Sequence, residues 1–496
     1  MQSEQQTRSI PKDFPVAIVG AGFSGIGMAI RLKQEGIHTF TIFEAGSEVG
    51  GTWRDNTYPG CACDVPSHMY SYSFELWSEW PQSYSHQPDI LNYLKRCVKR
   101  YGLDEHIQYN TRVVDFQFEE DEGLWHVTTS DGTIHEARAV VAGLGPLSKP
   151  AFPNIPGRDK FTGPSFHTAE WNHDVELAGK RVAVIGTGAS AIQIIPSIAP
   201  KVNHLSVFQR TPPWVVPRNS KVYPQWFKSM FRNLPPLQRL FRWFLYVYFE
   251  LRAFGFVVTP WLLKMASRVG QRHMHKAIKD PELRKKVTPD YTMGCKRVLV
   301  SDSYFPALAR KNVDVIDSSV VEIKENSVVC KNGSEHEVDV LVYATGFNVY
   351  DYLGPISVTG RDKKDLRSTW ETGQKTYYGI HASGFPNLFL MVGPNTGLGH
   401  HSLVFMMEVQ MNHIVNCIQY MRKNNTKILD VTEEAQDGFV SRTQERMKKT
   451  VWIQGGCQSW YLDDQGRNFT LWPGFTLEYW LQLRSFQPVH FETQPY

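Results

Sequence analysis

Two apolar runs stand out along the chain. Val16-Ala17-Ile18-Val19 and, far downstream, Val182-Ala183-Val184-Ile185 are uninterrupted and rich in β-branched residues, as in strands buried on both faces of a parallel sheet. Both break into glycines at related spacings: G-x-G-x-x-G at Gly20, Gly22 and Gly25, and G-x-G-x-x-A at Gly186, Gly188 and Ala191. The first glycine of such a turn permits a tight bend, and the second lets a pyrophosphate approach the backbone. The third lets the next helix pack closely on the strand, and that helix offers its free N–H groups to phosphate. A second strand follows each turn, at Thr39–Phe43 and at His204–Phe208.

Elsewhere the pattern predicts buried strands at Ala137–Gly143 and Val338–Tyr343, and short strands around Ile107–His135. Val313–Ile316 and Val320–Cys330 alternate apolar and polar positions and suit a small β-meander. Residues 219–297 carry helical patterning and read as an insertion. The expected fold is therefore α/β, with two Rossmann-like dinucleotide-binding domains. The first comprises residues 1–147 and 350–496, the second residues 148–218 and 298–349, and residues 219–297 form the helical insertion.

The ends of the two second strands separate the two sites chemically. Glu44 lies 24 residues after Gly20, and Arg210 lies 24 residues after Gly186. A carboxylate at this position suits a ribose diol, whereas an arginine suits a 2′-phosphate. The first unit therefore reads as an FAD site and the second as an NADPH site. Ser190 lies in the second glycine turn, and Lys296, Arg210 and Thr211 form a candidate cradle for the 2′-phosphate, lysine as a point charge and arginine as a fork.

Composition narrows the class. The chain has 496 residues and a net charge of +4, too mild a basic balance to suggest nucleic acid. Its seven cysteines are odd in number, scattered and without a C-x-x-C pair, which argues against a disulfide framework and for a reducing compartment. The polar start MQSEQQTRSIPKDFP has no apolar core of a secretory leader, so the expectation is a cytoplasmic enzyme. The aromatic stretch 237–264 is interrupted by Arg239, Arg242, Glu250 and Arg252 and never reaches the run needed to span a bilayer. A buried or half-buried helical insertion is expected there, with weak interfacial membrane contact left open. A monomer or weak dimer is expected.

Between the two nucleotide units lies FTGPSFHTAEWN, with spacing F-x-G-x-x-x-H-x-x-x-W at Phe161, Gly163, His167 and Trp171. Together with GAGFSG, GGTWRDNTYPGCACDVPS, GTGASA, GCKRVLVSDSYFPAL, ATGF and GPNTGLGH, in that family's order along nearly the whole chain, it resembles the type I Baeyer–Villiger monooxygenases and their flavin-monooxygenase relatives. The resemblance implies oxidation of ketones to esters or lactones by NADPH and O2 through a flavin C4a-peroxide. It also implies that Gly51, Thr52, Trp53 and Asn395 lie at the flavin, and that His167 and Trp171 couple NADPH binding to domain position. Arg297 would reach the reacting region of the flavin and Asp64 would orient it. A guanidinium there favours an anionic peroxide and stabilises an oxyanion.

Two departures leave an N- or S-oxygenase acting on amines or sulfides open: Asn172 follows the fingerprint tryptophan, and Ala142–Gly145 reads AGLG. A disulfide reductase is disfavoured, because the only close pair, Cys61 and Cys63, is separated by one residue. A metal site at His400-His401 is not expected, since neither has a further ligand at helical spacing.

Overall fold

The computed structural model describes residues 14–496; residues 1–13, most of the polar start, lie outside them. Two five-stranded parallel sheets form the frame. The first runs Leu388–Leu390, Ala139–Ala142, Val16–Val19, Phe40–Phe43 and Ile107–Gln108 in spatial order. The second runs Val313–Ile316, His204–Phe208, Arg181–Ile185, Val340–Tyr343 and Ser165–His167. In each the strand that feeds the glycine turn lies at the centre. Every residue of Val16–Val19 is buried, and so are Val182, Ala183 and Val184, as strands covered on both faces require.

The chain after residue 350 returns to the first sheet. Leu388–Leu390 pairs with Ala139–Ala142, and Ser357–Thr359 adds to the antiparallel strands Val113–Glu119, Leu124–Thr129 and Ile134–Ala137. The helix Leu403–Lys423 packs on Phe23–Gln34, where Gly27 leaves no room for a Cβ beside Met411 and Tyr72. This fixes the C-terminal part of the chain against the first nucleotide turn.

Two expectations are corrected. Val313–Ile316 is not part of the meander. It is the edge strand of the second parallel sheet, reached from the short helix Tyr304–Leu308; period-two alternation is shared by both settings. The meander itself is Val320–Ile323, Ser327–Cys330 and Glu335–Glu337. The aromatic stretch is also less covered than expected. The helix Pro235–Val257 buries Phe249, Ala253 and Phe256, but leaves Leu240, Trp243, Phe244, Tyr248, Leu251 and Phe254 exposed.

Candidate active site

A cavity of about 1,080 Å³ runs between the two sheets and is lined by both glycine turns. The geometry of the turns explains their composition. Gly20 and Gly186 have φ of 97° and 112°, values that favour glycine. A Cβ on either would strike the carbonyl at the end of a neighbouring strand, Gly143 O or Ala344 O. A Cβ on Gly25 would collide with Gly20 O. The middle glycines behave differently: Gly22 would meet only Gly51 Cα at 3.8 Å, and Gly188 would meet nothing within 4 Å. Each turn thus presents bare backbone to the cavity.

Glu44 ends the second strand of the first sheet and is buried. Its Oε2 accepts from Ala21 N at 2.8 Å, and its Oε1 accepts from Gly46 N at 2.7 Å and Arg54 Nη1 at 2.6 Å. A carboxylate offers about four acceptor positions, so one on Oε2 is left for a hydroxyl. Arg54 was not legible as a partner from sequence.

Arg210 and Lys296 line the other end of the cavity. Neither forms an ion pair among the described residues. Burial, followed by repulsion from Arg210, lowers the Lys296 ammonium below its ordinary pKa. A half-buried ammonium lowered further by a neighbouring guanidinium is a site suited to an anion. Thr187, Thr211 and Ser190 line the same region, and Ala191 opens the helix Ala191–Ile198.

Asp64 and Arg297 meet in the cavity wall although 233 positions separate them. Arg297 Nε and Nη2 donate to the same oxygen, Asp64 Oδ2, at 2.8 and 2.6 Å. About a third of the arginine side chain (32%) remains open to the cavity. Attraction to Asp64 raises the guanidinium pKa further and outweighs the cost of burial. Tyr461 sits in the same wall with a fully buried hydroxyl that makes no hydrogen bond among the described residues. Burial pushes its pKa up to about 12 against the pull of Arg297.

The residue before Lys296 corrects the cysteine reading. Cys295 is disulfide-bonded to Cys457, which ties the Lys296-Arg297 segment to the loop carrying Trp460 and Tyr461. One bond is not a framework, but it removes the argument from cysteine usage for a reducing compartment. Cys61 and Cys63 are free and buried, and burial raises the Cys61 thiol pKa to about 12, so neither is poised for redox chemistry.

Gly51, Thr52 and Trp53 line the cavity. Gly50 N donates to Ala21 O at 2.9 Å, latching this turn to the first glycine loop, and Trp53 Nε1 donates to Tyr70 Oη at 3.1 Å. Asn395 does not line the cavity. Its side-chain amide is spent on Asn468 O and Leu471 O, at 3.0 and 2.9 Å, and its neighbours Gly393, Pro394, Gly397 and Leu398 form the wall instead.

The fingerprint residues lie outside the cavity. Phe161 packs against the second sheet's core, and a Cβ on Gly163 would collide with Asp339 O. His167 ends the edge strand, fully buried between the rings of Phe152 and Phe347. Its Nδ1 accepts from Ala169 N at 3.1 Å, and burial lowers its pKa to about 4, so it is neutral at pH 7. Trp171 meets Phe166 edge-on. Two residues later, His173 Nε2 and Thr57 Oγ1 lie 2.8 Å apart, joining this segment to the loop before Asp64.

Trp214 is core: its indole donates to Tyr291 O at 2.9 Å. Among the described residues His400 and His401 are buried without a third ligand beside them, whereas His381, His413 and Cys417 do gather in the core. There His381 Nε2 and His413 Nε2 share a hydrogen bond of 3.0 Å, and none of the three lines the cavity.

Two turns of bare backbone, one capped by a carboxylate and one by paired cations, around one cavity are the donor set of a two-dinucleotide enzyme. The chain belongs to the flavin-binding monooxygenase-like family, whose pattern matches residues 13–358. Its relatives include a Baeyer–Villiger monooxygenase of Pseudomonas aeruginosa, 46% identical and aligned over 99% of this chain and 94% of that one. A Baeyer–Villiger monooxygenase of Streptomyces coelicolor is 46% identical over 94% of this chain and 89% of its own. Among solved structures, OTEMO in complex with FAD and NADP superposes with a TM-score of 0.87 at 27% identity, covering 98% of this chain and 100% of that one. Oxidised steroid monooxygenase bound to NADP gives a TM-score of 0.86 at 29% identity, with the same coverage of both chains.

Proposed function

We propose that this chain is a Baeyer–Villiger monooxygenase that uses NADPH and O2 to convert small apolar ketones to esters or lactones, one oxygen atom entering the product and the other leaving as water. The observation that carries this reading is the Asp64–Arg297 fork in the wall of a cavity joining two dinucleotide turns. FAD would be held by Gly20, Gly22, Gly25 and Glu44, with Gly51, Thr52 and Trp53 beside it. NADPH would be held by Gly186, Gly188, Ser190 and Ala191, with Arg210, Thr211 and Lys296 on its 2′-phosphate. The flavin, when bound, supplies activation of dioxygen.

The protein supplies a fixed cation. Asp64 occupies two of the five N–H groups of Arg297, leaving three for negative charge developing on a ketone carbonyl oxygen. Because the guanidinium is held in place beforehand, it costs no reorganisation as that charge appears. Asp64 positions the arginine and offsets the cost of keeping an isolated charge in the wall. Product analysis with NADPH, O2 and a panel of one cyclic ketone, one linear ketone and one aryl sulfide tests the reading. Lactone and ester are expected; sulfoxide as the sole product would overturn it in favour of heteroatom oxygenation.

A further inference from the structure

The outward face of the helical insertion is apolar, extended and rimmed by cations. On the helix Pro235–Val257 the exposed positions Leu240, Trp243, Phe244, Tyr248, Leu251 and Phe254 recur every three or four residues and form one stripe. On the next helix, Trp261–Ala277, Trp261, Met265 and Val269 form an exposed row. The exposed cations Lys264, Arg268, Arg272 and Lys276 run beside that row at i+4 spacing, and none of them pairs with a carboxylate among the described residues. Across residues 219–278 there are ten lysines and arginines and one acidic residue, Glu250. Glu250 is turned inward, accepting from Leu477 N at 2.9 Å. That contact brings in the helix Thr476–Leu483, where Leu477, Trp480 and Leu481 are also exposed.

An aromatic-rich apolar stripe flanked by unpaired cations matches the surface of a lipid bilayer carrying anionic headgroups, and monomeric proteins in water rarely leave so much contiguous apolar surface open. No described helix is long and apolar enough to cross a membrane. We propose that the helices Pro235–Val257 and Trp261–Ala277 seat the enzyme on an anionic phospholipid surface, lying in the interface rather than spanning it. A second copy of the chain fits less well. A two-fold contact through this face would bring the same row of cations against itself, whereas anionic lipid neutralises it. The inner side of the first helix packs on the cavity wall: Tyr246 and Phe249 contact the ring of His401, a lining residue, with centroids 4.9 and 6.2 Å apart. The cavity therefore lies about one helix diameter, roughly 10 Å, behind the lipid-facing surface.

The test is flotation of the FAD-loaded, full-length enzyme with vesicles of phosphatidylcholine alone or mixed with phosphatidylglycerol. Co-flotation with the mixed vesicles, weakened by salt, is expected. Arg268→Glu with Arg272→Glu should reduce binding about fivefold or more for each cation replaced. Trp243→Ser with Leu251→Ser should abolish it while leaving FAD content and turnover of a water-soluble ketone unchanged. Absence of flotation at low salt would overturn the proposal. So would a wild-type dimer in sedimentation equilibrium that Trp243→Ser converts to monomer, which would assign the face to a second copy.

Discussion

Replacing Arg297 by alanine removes both donors to Asp64 Oδ2 and the cation that Asp64 holds in this wall. The magnitudes follow from the geometry. Exposed ion pairs contribute about 0–1 kcal/mol and breaking a buried one costs about 3–5 kcal/mol. This pair, with side chains 32% and 25% exposed, lies between, so the fold should lose about 1–2 kcal/mol and still bind FAD. Catalysis should lose far more, since removing one preorganised partner of a developing oxyanion costs about a hundred- to a thousandfold. The assay reduces the flavin chemically before admitting O2, so that hydride transfer from NADPH drops out, and then measures ester or lactone. Asp64→Ala should lower the same rate less completely, because it acts through the arginine. In the double variant, Asp64→Ala should add nothing to the loss caused by Arg297→Ala. An undiminished rate in the pre-reduced Arg297 variant would refute the role of the cation; multiplicative losses in the double variant would refute the positioning role of Asp64.

Other outcomes follow from separate features. Arg210→Ala should weaken NADPH by about ten- to a hundredfold with little change for NADH; equal losses in steady-state KM for both would assign Arg210 to the fold. Unfolded without reductant, the protein should titrate five thiols, not seven, since Cys295 and Cys457 are bonded. Reduction should lower its melting temperature, because the cross-link closes a span of 162 residues, worth up to about 5 kcal/mol in the chain-entropy limit. Gly25→Ala should yield protein that fails to retain flavin, read from the absorbance ratio after gel filtration, because its Cβ has no space beneath Gly20 O. Finally, burial depresses the pKa of His68 and His400 to about 3 and of His167, His401 and His413 to about 4. These groups are neutral when folded and charge near pH 6.5 when unfolded, so the stability they contribute is present above that pH and lost as pH falls towards 4. Each contributes a slope of about 1.4 kcal/mol per pH unit in that window. The urea midpoint should drop steeply below pH 6.5, and a flat profile down to pH 5 would contradict the burial.

What the sequence revealed of this molecule was local. A strand, a glycine turn and a helix are set by neighbours a few residues apart, so both turns could be read directly, as could the opposite charges that close them at Glu44 and Arg210. Features that depend on distant segments could not. Trp460 and Tyr461 carry no periodic signature and reach the cavity through tertiary packing, and Cys457 finds Cys295 from a position that counting and spacing cannot pair. Val313–Ile316 has the same alternation in a meander or at a parallel edge. The use of the Asn395 side chain was not legible either: it adopts φ of 59° and ties the loop at 468–471. The extent of the exposed face of Pro235–Val257 was legible only in part, because apolar residues in a helix normally signal burial.

The two adjacent cations at 296 and 297 show how neighbouring residues in one motif arrive at opposite electrostatic solutions. Arg297 has a carboxylate on its fork, so its charge is retained whatever else occupies the cavity, as a group that must stabilise charge only during reaction requires. Lys296 forms no ion pair among the described residues, and burial first and then repulsion from Arg210 lower its pKa; its charge is destabilised until an anion arrives. A prepaid cation favours a transition state, whereas an unpaid one favours a ground-state ligand. Under the proposed function, Arg297 then serves rate and Lys296 affinity. Lys296→Ala should therefore raise the NADPH concentration needed for half-maximal turnover, while leaving the pre-reduced rate of ketone oxidation near that of the parent. The same fall in that pre-reduced rate for Lys296→Ala as for Arg297→Ala would show that the pair acts as one unit and that the division drawn from their partners is wrong.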